Sequence, residues 1–316
     1  MRYLVTGGAG FIGSNTICEL VRRGHEVVAL DDLSTGKAAN LSAVKSKIKL
    51  IQETITNLNA VREACRGVDC VIHLAAQTSV PRSVIDPIET NLVNVDGTLN
   101  VLVAARDEKV KRVVFACSCA VYGKTTDLPI RESAALVPIS PYGISKQVGE
   151  AYGRIFQELY GLEFVSLRYF NVFGPRQDPG SAYSGVLSLF NAALQSGTQP
   201  IVYGDGEQSR DFVYVGNVVE ANLLAAEAKN APGLGINIGT GKRYSLNQTL
   251  RLLEKITGHS ARAKYAPARE GDIRDSQGDI SLAQEILGYQ PRFEFEEGLK
   301  RTWEWFSAPP GDPGRS

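Results

Sequence analysis

Histidine is scarce. The 316 residues hold only His25, His73 and His259, and none has a second His or Cys at the spacing of a zinc site, so no metal is expected. The five cysteines, Cys18, Cys65, Cys70, Cys117 and Cys119, are odd in number and irregularly spaced. That argues against a disulfide framework and for a reducing, cytoplasmic setting. Neither charge is in excess, with 34 Lys plus Arg against 34 Asp plus Glu, so no whole-molecule field favours a polyanion. Neither nucleic acid nor an anionic membrane is an expected partner. No apolar run approaches the ~20 residues needed to span a bilayer. The opening MRYLVTGG has none of the basic, apolar and small-residue regions of a secretory signal.

What is present is a regular alternation. YLVT, EVVALD, KIKLIQ, CVIHLA and RVVFACS are short apolar runs, separated by amphipathic stretches such as FIGSNTICELVRRG and a long helical region near 88–107. Repeated βαβ units of this kind predict an α/β protein with a Rossmann-type, doubly wound parallel sheet. The nearly all-apolar strands fit burial on both faces. After residue 171 the pattern breaks into Gly- and Pro-rich loops with shorter elements. The division expected is a sheet domain over 1–171 and a smaller α/β substrate domain mainly over 172–316, with the chain returning to the sheet around 211–240. The terminal SAPPGDPGRS has no apolar periodicity and reads as a loose tail.

Between the first strand and first helix lies TGGAGFIG, residues 6–13. Gly7, Gly10 and Gly13 let the backbone approach a pyrophosphate, and the helix N-terminus supplies unpaired N–H groups. The spacing is GxxGxxG rather than GxGxxG, and the strand before and helix after it carry the argument. Asp31 ends the second strand, 18 residues beyond Gly13. A carboxylate there accepts the adenosine ribose hydroxyls and repels a 2′-phosphate, a repulsion to which Asp32 adds, so the dinucleotide expected is NAD.

Tyr142 and Lys146 lie four residues apart in SPYGISKQVGEAYG, on one face if the stretch is helical. A cation beside a phenol lowers its pKa from the ordinary ~10, which would make Tyr142 a general base. The strand RVVFACS ends at Ser118, where an open α/β sheet collects its ligands and where a serine hydroxyl can share a proton with Tyr142. Cys117 and Cys119 flank it without a visible basic partner, and read as small buried residues.

Together TGGAGFIG, Asp31, HLAA (73–76), the Ser118 strand end and PYGISK resemble the extended short-chain dehydrogenase/reductases. RYFNVFGPRQ, SRDFVYV and REGD make the chain similar to the UDP-hexose 4-epimerases within that family, from residue 1 to about 306. The resemblance implies bound NAD, Tyr142 as base, Lys146 on the nicotinamide ribose, and Ser118 at O4 of the sugar, with Asn94 completing the network. It extends the cofactor site to Phe11, Ile12, Ile55, Leu74, Ala75, Ala76 and Tyr169. For the UDP-sugar it implies Asn171, Arg210 and Arg269 at the diphosphate and Tyr203 and Phe212 near uracil and ribose. Thr78, Ser79, Cys119, Gly185, Val186, Asp272 and Ser276 complete that substrate set. A homodimer through helices near 88–107 and 143–160 is also implied.

The sequence departs from the family pattern at three positions. Thr54 stands where relatives usually carry an Asp for the adenine amino group, leaving Ile55 and backbone to hold adenine. Thr78 replaces a frequent Lys, and Ser276 a bulky Tyr, leaving room for a 2-acetamido group. With SVPRS (79–83) and RQDPGSAYSG (176–185), these resemble the subgroup acting on UDP-GlcNAc and UDP-GalNAc, without excluding UDP-Glc and UDP-Gal. A UDP-glucuronate 4-epimerase or decarboxylase on the same scaffold is the alternative, and a non-catalytic NAD-binding sensor a remote one. Cys119 and Ala120 stand where a 4,6-dehydratase needs an acid/base pair, which argues against that chemistry.

Overall fold

The computed structural model describes residues 1–178, 185–268 and 273–308. Its first half alternates β1 (Arg2–Thr6), α1 (Phe11–Arg22), β2 (Glu26–Leu30), β3 (Ile48–Ile51), α2 (Leu58–Cys65) and β4 (Cys70–His73). The long helical region predicted near 88–107 is present as one continuous run with an irregular turn inside it. After α3 (Val80–Ile85) come α4 (Pro87–Asn91), a π-helical turn over Leu92–Asp96, and α5 (Gly97–Asp107). The π-turn widens the helix locally without ending it, as such turns do inside α-helices.

β5 (Arg112–Ser118), α6 (Pro141–Tyr160) and β6 (Glu163–Tyr169) follow. Ser140 caps α6, its hydroxyl accepting the Gly143 amide, with Pro141 at the first position, and Gly161 ends it in left-handed conformation. Beyond lie β7 (Asn171–Phe173), α7 (Val186–Gln195), β8 (Ile201–Tyr203), β9 (Ser209–Arg210), β10 (Phe212–Tyr214) and α8 (Val215–Glu227). Then come β11 (Gly235–Ile238), β12 (Tyr244–Ser245), α9 (Leu246–Thr257), β13 (Lys264–Ala266), α10 (Ser281–Leu287) and α11 (Phe295–Ser307).

Seven strands form one sheet in the order β11-β6-β5-β4-β1-β2-β3, every pair parallel. This is the doubly wound Rossmann-type sheet that the alternation predicted. Strand order reverses between β1 and β4, the crevice where such folds bind ligands. Alternate strand residues feed opposite cores: Tyr3, Val5, Ile72 and Val114 on one face, Leu4, Val71, Val113 and Phe115 on the other. The first core continues through α8 into Phe173, Phe190, Phe212 and Phe295, so the small paired strands β7–β10, β8–β13 and β9–β12 are anchored above the carboxyl ends of the sheet. Among the described residues no helix is long and apolar enough to cross a membrane.

Candidate active site at the switch point

The turn after β1 is built for close approach. Gly7 has a φ of 66°, and a Cβ there would lie 2.8 Å from the Ala75 amide nitrogen. A Cβ on Gly13 would collide with the Gly7 carbonyl oxygen, so helix α1 can start flush against the turn only as glycine. Gly10 is the N-cap of α1, with no side-chain cap and no acidic residue in the first turn. The leading amides, Phe11 and Ile12 among them, therefore keep the positive end of the helix uncompensated, which fits a pyrophosphate.

Asp31 is buried, its Oδ2 accepting the Ala9 amide at 2.9 Å and its Oδ1 the Leu33 amide at 2.8 Å. Burial raises its pKa, partly offset by those amides. Each oxygen keeps a further lone-pair direction, so the carboxylate both ties down the glycine turn and remains able to accept a ribose hydroxyl. Asp32 is exposed and caps its own loop through Ser34. The Ile55 side chain is buried beneath α5, against which a Cβ on Gly97 would stand only 2.6 Å away. Ile55 is thus packed into the core beneath α5, and Thr54, half-buried and paired with Thr56, lies nearer the surface. Leu74, Ala75 and Ala76 leave β4 half-buried beside the turn.

At the end of β5 Ser118 lies near Tyr142, and its hydroxyl acts to lower the pKa of the phenol. Lys146, one turn along α6, holds its Nζ 6.0 Å from the Tyr142 ring centroid and 5.0 Å from that of Phe115. In the chain by itself the Tyr142 phenol shifts the other way from the lowering expected of a neighbouring cation. Burial pushes the Tyr142 phenol well above its ordinary value, outweighing the opposing effect of Ser118. The same dry surroundings depress Lys146 to about 8. Desolvation penalises both charged forms, and sequence spacing carries no measure of it.

Burial also pushes the Cys117 and Cys119 thiols up, to about 12 and about 11, as suits small buried residues rather than nucleophiles. Arg210 opposes the Cys119 shift through its charge, which places this cation within electrostatic reach of the Ser118 strand end. Its Nη1 donates to the carbonyls of Ser209 and Arg274. Ser276 is buried close by, its amide donating to the Ser209 carbonyl at 3.1 Å.

Asn94 sits in the π-turn. It accepts the Gln77 amide at 2.7 Å, and its Nδ2 donates to the Gln77 carbonyl and to Ser145 Oγ, each at 2.9 Å. The Tyr142 amide donates to Ser83 Oγ at 3.1 Å, a contact without any local sequence signature. Tyr169 is buried, its hydroxyl 2.5 Å from Asn222 Oδ1. Asn171 Oδ1 is buried without a hydrogen-bond partner among the described residues. Thr78 is exposed, and Ser79 caps α3 by accepting the Arg82 amide. Gly185 and Val186 open α7, and Tyr203 ends β8 half-buried.

Phe212 is corrected outright. It is 3% exposed and stacked on Phe295 at 5.3 Å, with Phe173 edge-on. Its ring belongs to the core, leaving no face for a nucleotide. Arg269 and Asp272 lie outside the described residues, as does most of RQDPGSAYSG. Asp211, which sequence reasoning passed over, is fully buried and accepts from Thr240, Gly241 and Gly278. It pins two loops, at 240–241 and at 278, and its position beside Arg210 in SRDFVYV was the available signal.

A phosphate turn on β1 and a proton-transfer group on β5 and α6, facing one crevice, are the two halves of a dinucleotide-dependent enzyme, and that is the class that fold and site define. The chain belongs to the NAD-dependent epimerase/dehydratase family, which it matches over residues 3–239, and its cofactor is NAD. A putative UDP-glucose 4-epimerase of Methanocaldococcus jannaschii is 41% identical over 304 residues, covering 96% of this chain and 97% of that protein. The UDP-glucose 4-epimerase of Thermotoga maritima, solved with UDP-glucose, has a TM-score of 0.92 at 40% identity, covering 97% of this chain and 98% of that one. A UDP-N-acetylglucosamine 4-epimerase of Methanobrevibacter ruminantium M1, solved with UDP-N-acetylmuramic acid, gives 0.92 at 39% identity, covering 96% and 97%. The family resemblance carried by TGGAGFIG, PYGISK and RYFNVFGPRQ is thereby borne out.

Proposed function

We propose that this chain is a UDP-sugar 4-epimerase, with residues 1–171 chiefly holding NAD and residues 172–316 chiefly holding the UDP-sugar. The observation that carries the reading is the convergence of Ser118 at the end of β5, Tyr142, and Lys146 one helical turn further along α6 with its Nζ 6.0 Å from the Tyr142 ring centroid. When bound at the glycine turn beside Asp31, NAD would supply the hydride acceptor and donor for C4 of the sugar. Tyr142, with Ser118, moves the O4 proton. The charged form of Lys146 favours the phenolate that this needs, against the cost of burial. Asp31 holds the adenosine ribose. Arg210, with Arg269 and Asn171, clamps the diphosphate while the 4-keto sugar turns over, an arrangement that anchors one end of the substrate and leaves the other loose.

The sugar favoured is a 2-acetamido hexose. The small, buried Ser276 near Arg210 and the short Thr78 beyond the end of β4 support it, and neither obstructs UDP-Glc or UDP-Gal. The active form proposed is a homodimer. Ile88 and Leu92 are 81% and 49% exposed, and Ile144, Ile155 and Leu159 on α6 are 51%, 47% and 67% exposed. Such an apolar face on two neighbouring helices suits a second copy of the chain.

Separate incubation with UDP-GlcNAc, UDP-Glc and UDP-GlcA, with products read from anomeric proton NMR, tests the reading. C4-inverted UDP-GalNAc in excess of UDP-Gal is the expected result. No inverted product from any of the three would overturn the epimerase assignment, and turnover of UDP-GlcA alone would transfer it to a glucuronate enzyme.

A further inference from the structure

The ends of β1 and β4 are joined by a polar chain that the proposed chemistry leaves unused. Thr6, His73 and Thr98 are 0%, 1% and 2% exposed. His73 Nδ1 lies 2.7 Å from Thr6 Oγ1, and Nε2 lies 3.0 Å from Thr98 Oγ1.

The hydrogens follow by elimination. The Thr98 hydroxyl donates to the Asn94 carbonyl at 2.6 Å. It can therefore only accept from the ring, and Nε2 carries the hydrogen. Thr6 Oγ1 accepts the Ala75 amide at 3.2 Å, and its own hydrogen points to Nδ1, which must be bare. A doubly protonated imidazole would strand the Thr6 hydrogen in a dry interior, a cost comparable to losing a hydrogen bond. Burial, with the nearby charge of Lys146, keeps the imidazole pKa down at about 3. Lys146 and His73 flank the same Phe115 ring.

Beyond the Asn94 carbonyl the line continues. The Asn94 side chain donates to Ser145 Oγ, which donates to the Tyr142 carbonyl at 2.8 Å. One run of bonds thus joins the residue before Gly7 to the peptide group of Tyr142. We propose that His73 is a positioning residue, a neutral Nε2–H imidazole that sets the π-turn of Asn94, and through it Tyr142, at a fixed place relative to the dinucleotide turn. The inference rests on Tyr142 acting at C4 of the sugar. Hydride and proton leave neighbouring atoms, C4 and O4, so the separation of cofactor and phenol must hold, and a misplacement of about 1 Å costs on the order of a hundredfold in rate.

The sequence has only three histidines, which makes ¹⁵N-histidine NMR of the intact protein decisive. One ring is expected as Nε2–H, unchanged between pH 5 and 8. An Nδ1–H tautomer, or three rings all titrating in that range, would overturn the assignment. In turnover assays Thr98→Val is expected to lower kcat about tenfold, leave KM for the UDP-sugar within about twofold and retain NAD, with Thr98→Ser restoring kcat. Unchanged kcat in Thr98→Val, or an equal loss in Thr98→Ser, would overturn the positioning role. A wild-type protein with the expected tautomer and no activity on any UDP-sugar would overturn the reaction reading and the role with it, leaving the proton assignment standing.

Discussion

Glu150 and Arg168 form a two-point ion pair inside the protein, Arg168 Nη2 to Glu150 Oε1 at 2.6 Å and Nε to Oε2 at 3.0 Å, with side chains 2% and 3% exposed. Glu150 lies one turn beyond Lys146 on α6, and Arg168 also donates to the Tyr122 hydroxyl. The pair therefore locks the helix carrying the proton-transfer group onto β6. Glu150→Ala leaves a buried guanidinium uncompensated, and about 3–5 kcal/mol of unfolding free energy should disappear from a denaturant titration. Replacing both partners by apolar residues of similar volume should cost much less.

Tyr142→Phe removes the hydroxyl proposed to move the O4 proton and leaves the glycine turn untouched. Turnover should fall by roughly 10²–10⁴-fold, with NAD still bound after gel filtration. A variant with full activity would remove Tyr142 from the proton path.

Lys146 titrates near 8 in the free protein because burial disfavours its charge. As pH rises through that value the ammonium is lost, and with it the support for the phenolate. The kcat/KM profile, which reports free-enzyme groups, should fall about tenfold per pH unit above about 8. A plateau extending to pH 10 would contradict this.

His73 gives a stability signature of opposite direction. Its pKa is about 3 folded against about 6.5 unfolded, so below 6.5 the unfolded chain binds the extra proton and stability declines as pH falls toward 3. Between pH 7 and pH 5 the stability advantage of wild type over His73→Phe should shrink by about 2 kcal/mol, as measured by urea unfolding at each pH. An advantage independent of pH would mean that the ring charges in the folded state.

Ser276→Tyr places a bulky ring near Arg210. It should depress turnover of UDP-GlcNAc more than that of UDP-Glc, and an equal loss on both would discredit the acetamido pocket.

The parallel sheet and the glycine turn were legible in the sequence because apolar runs and a strand–glycine–helix junction are local patterns, whereas the strand order was not. Tyr142, Lys146 and Ser118 were legible for the same reason once α6 and β5 were placed. What escaped was non-local. Phe212 reads as an available aromatic in SRDFVYV, yet Phe295, more than eighty positions later, stacks on it. The phenol's pKa direction depends on how much water the folded chain excludes, and the π-turn on one inserted residue. The partners of His73, Thr6 and Thr98, come from 67 and 25 positions away.

The last strand to join the seven-stranded sheet, β11, is also at its edge and pairs with β6 across an intervening stretch that includes β7, α7 and α8. During synthesis, β6 therefore emerges with one flank unsatisfied and stays so until residue 238 has cleared the ribosome. A nascent chain halted in that interval presents an open, apolar strand edge to its neighbours, a recognised route to misassembly. The long parallel connection thus keeps the β6 edge open while residues 169 to 238 are being made.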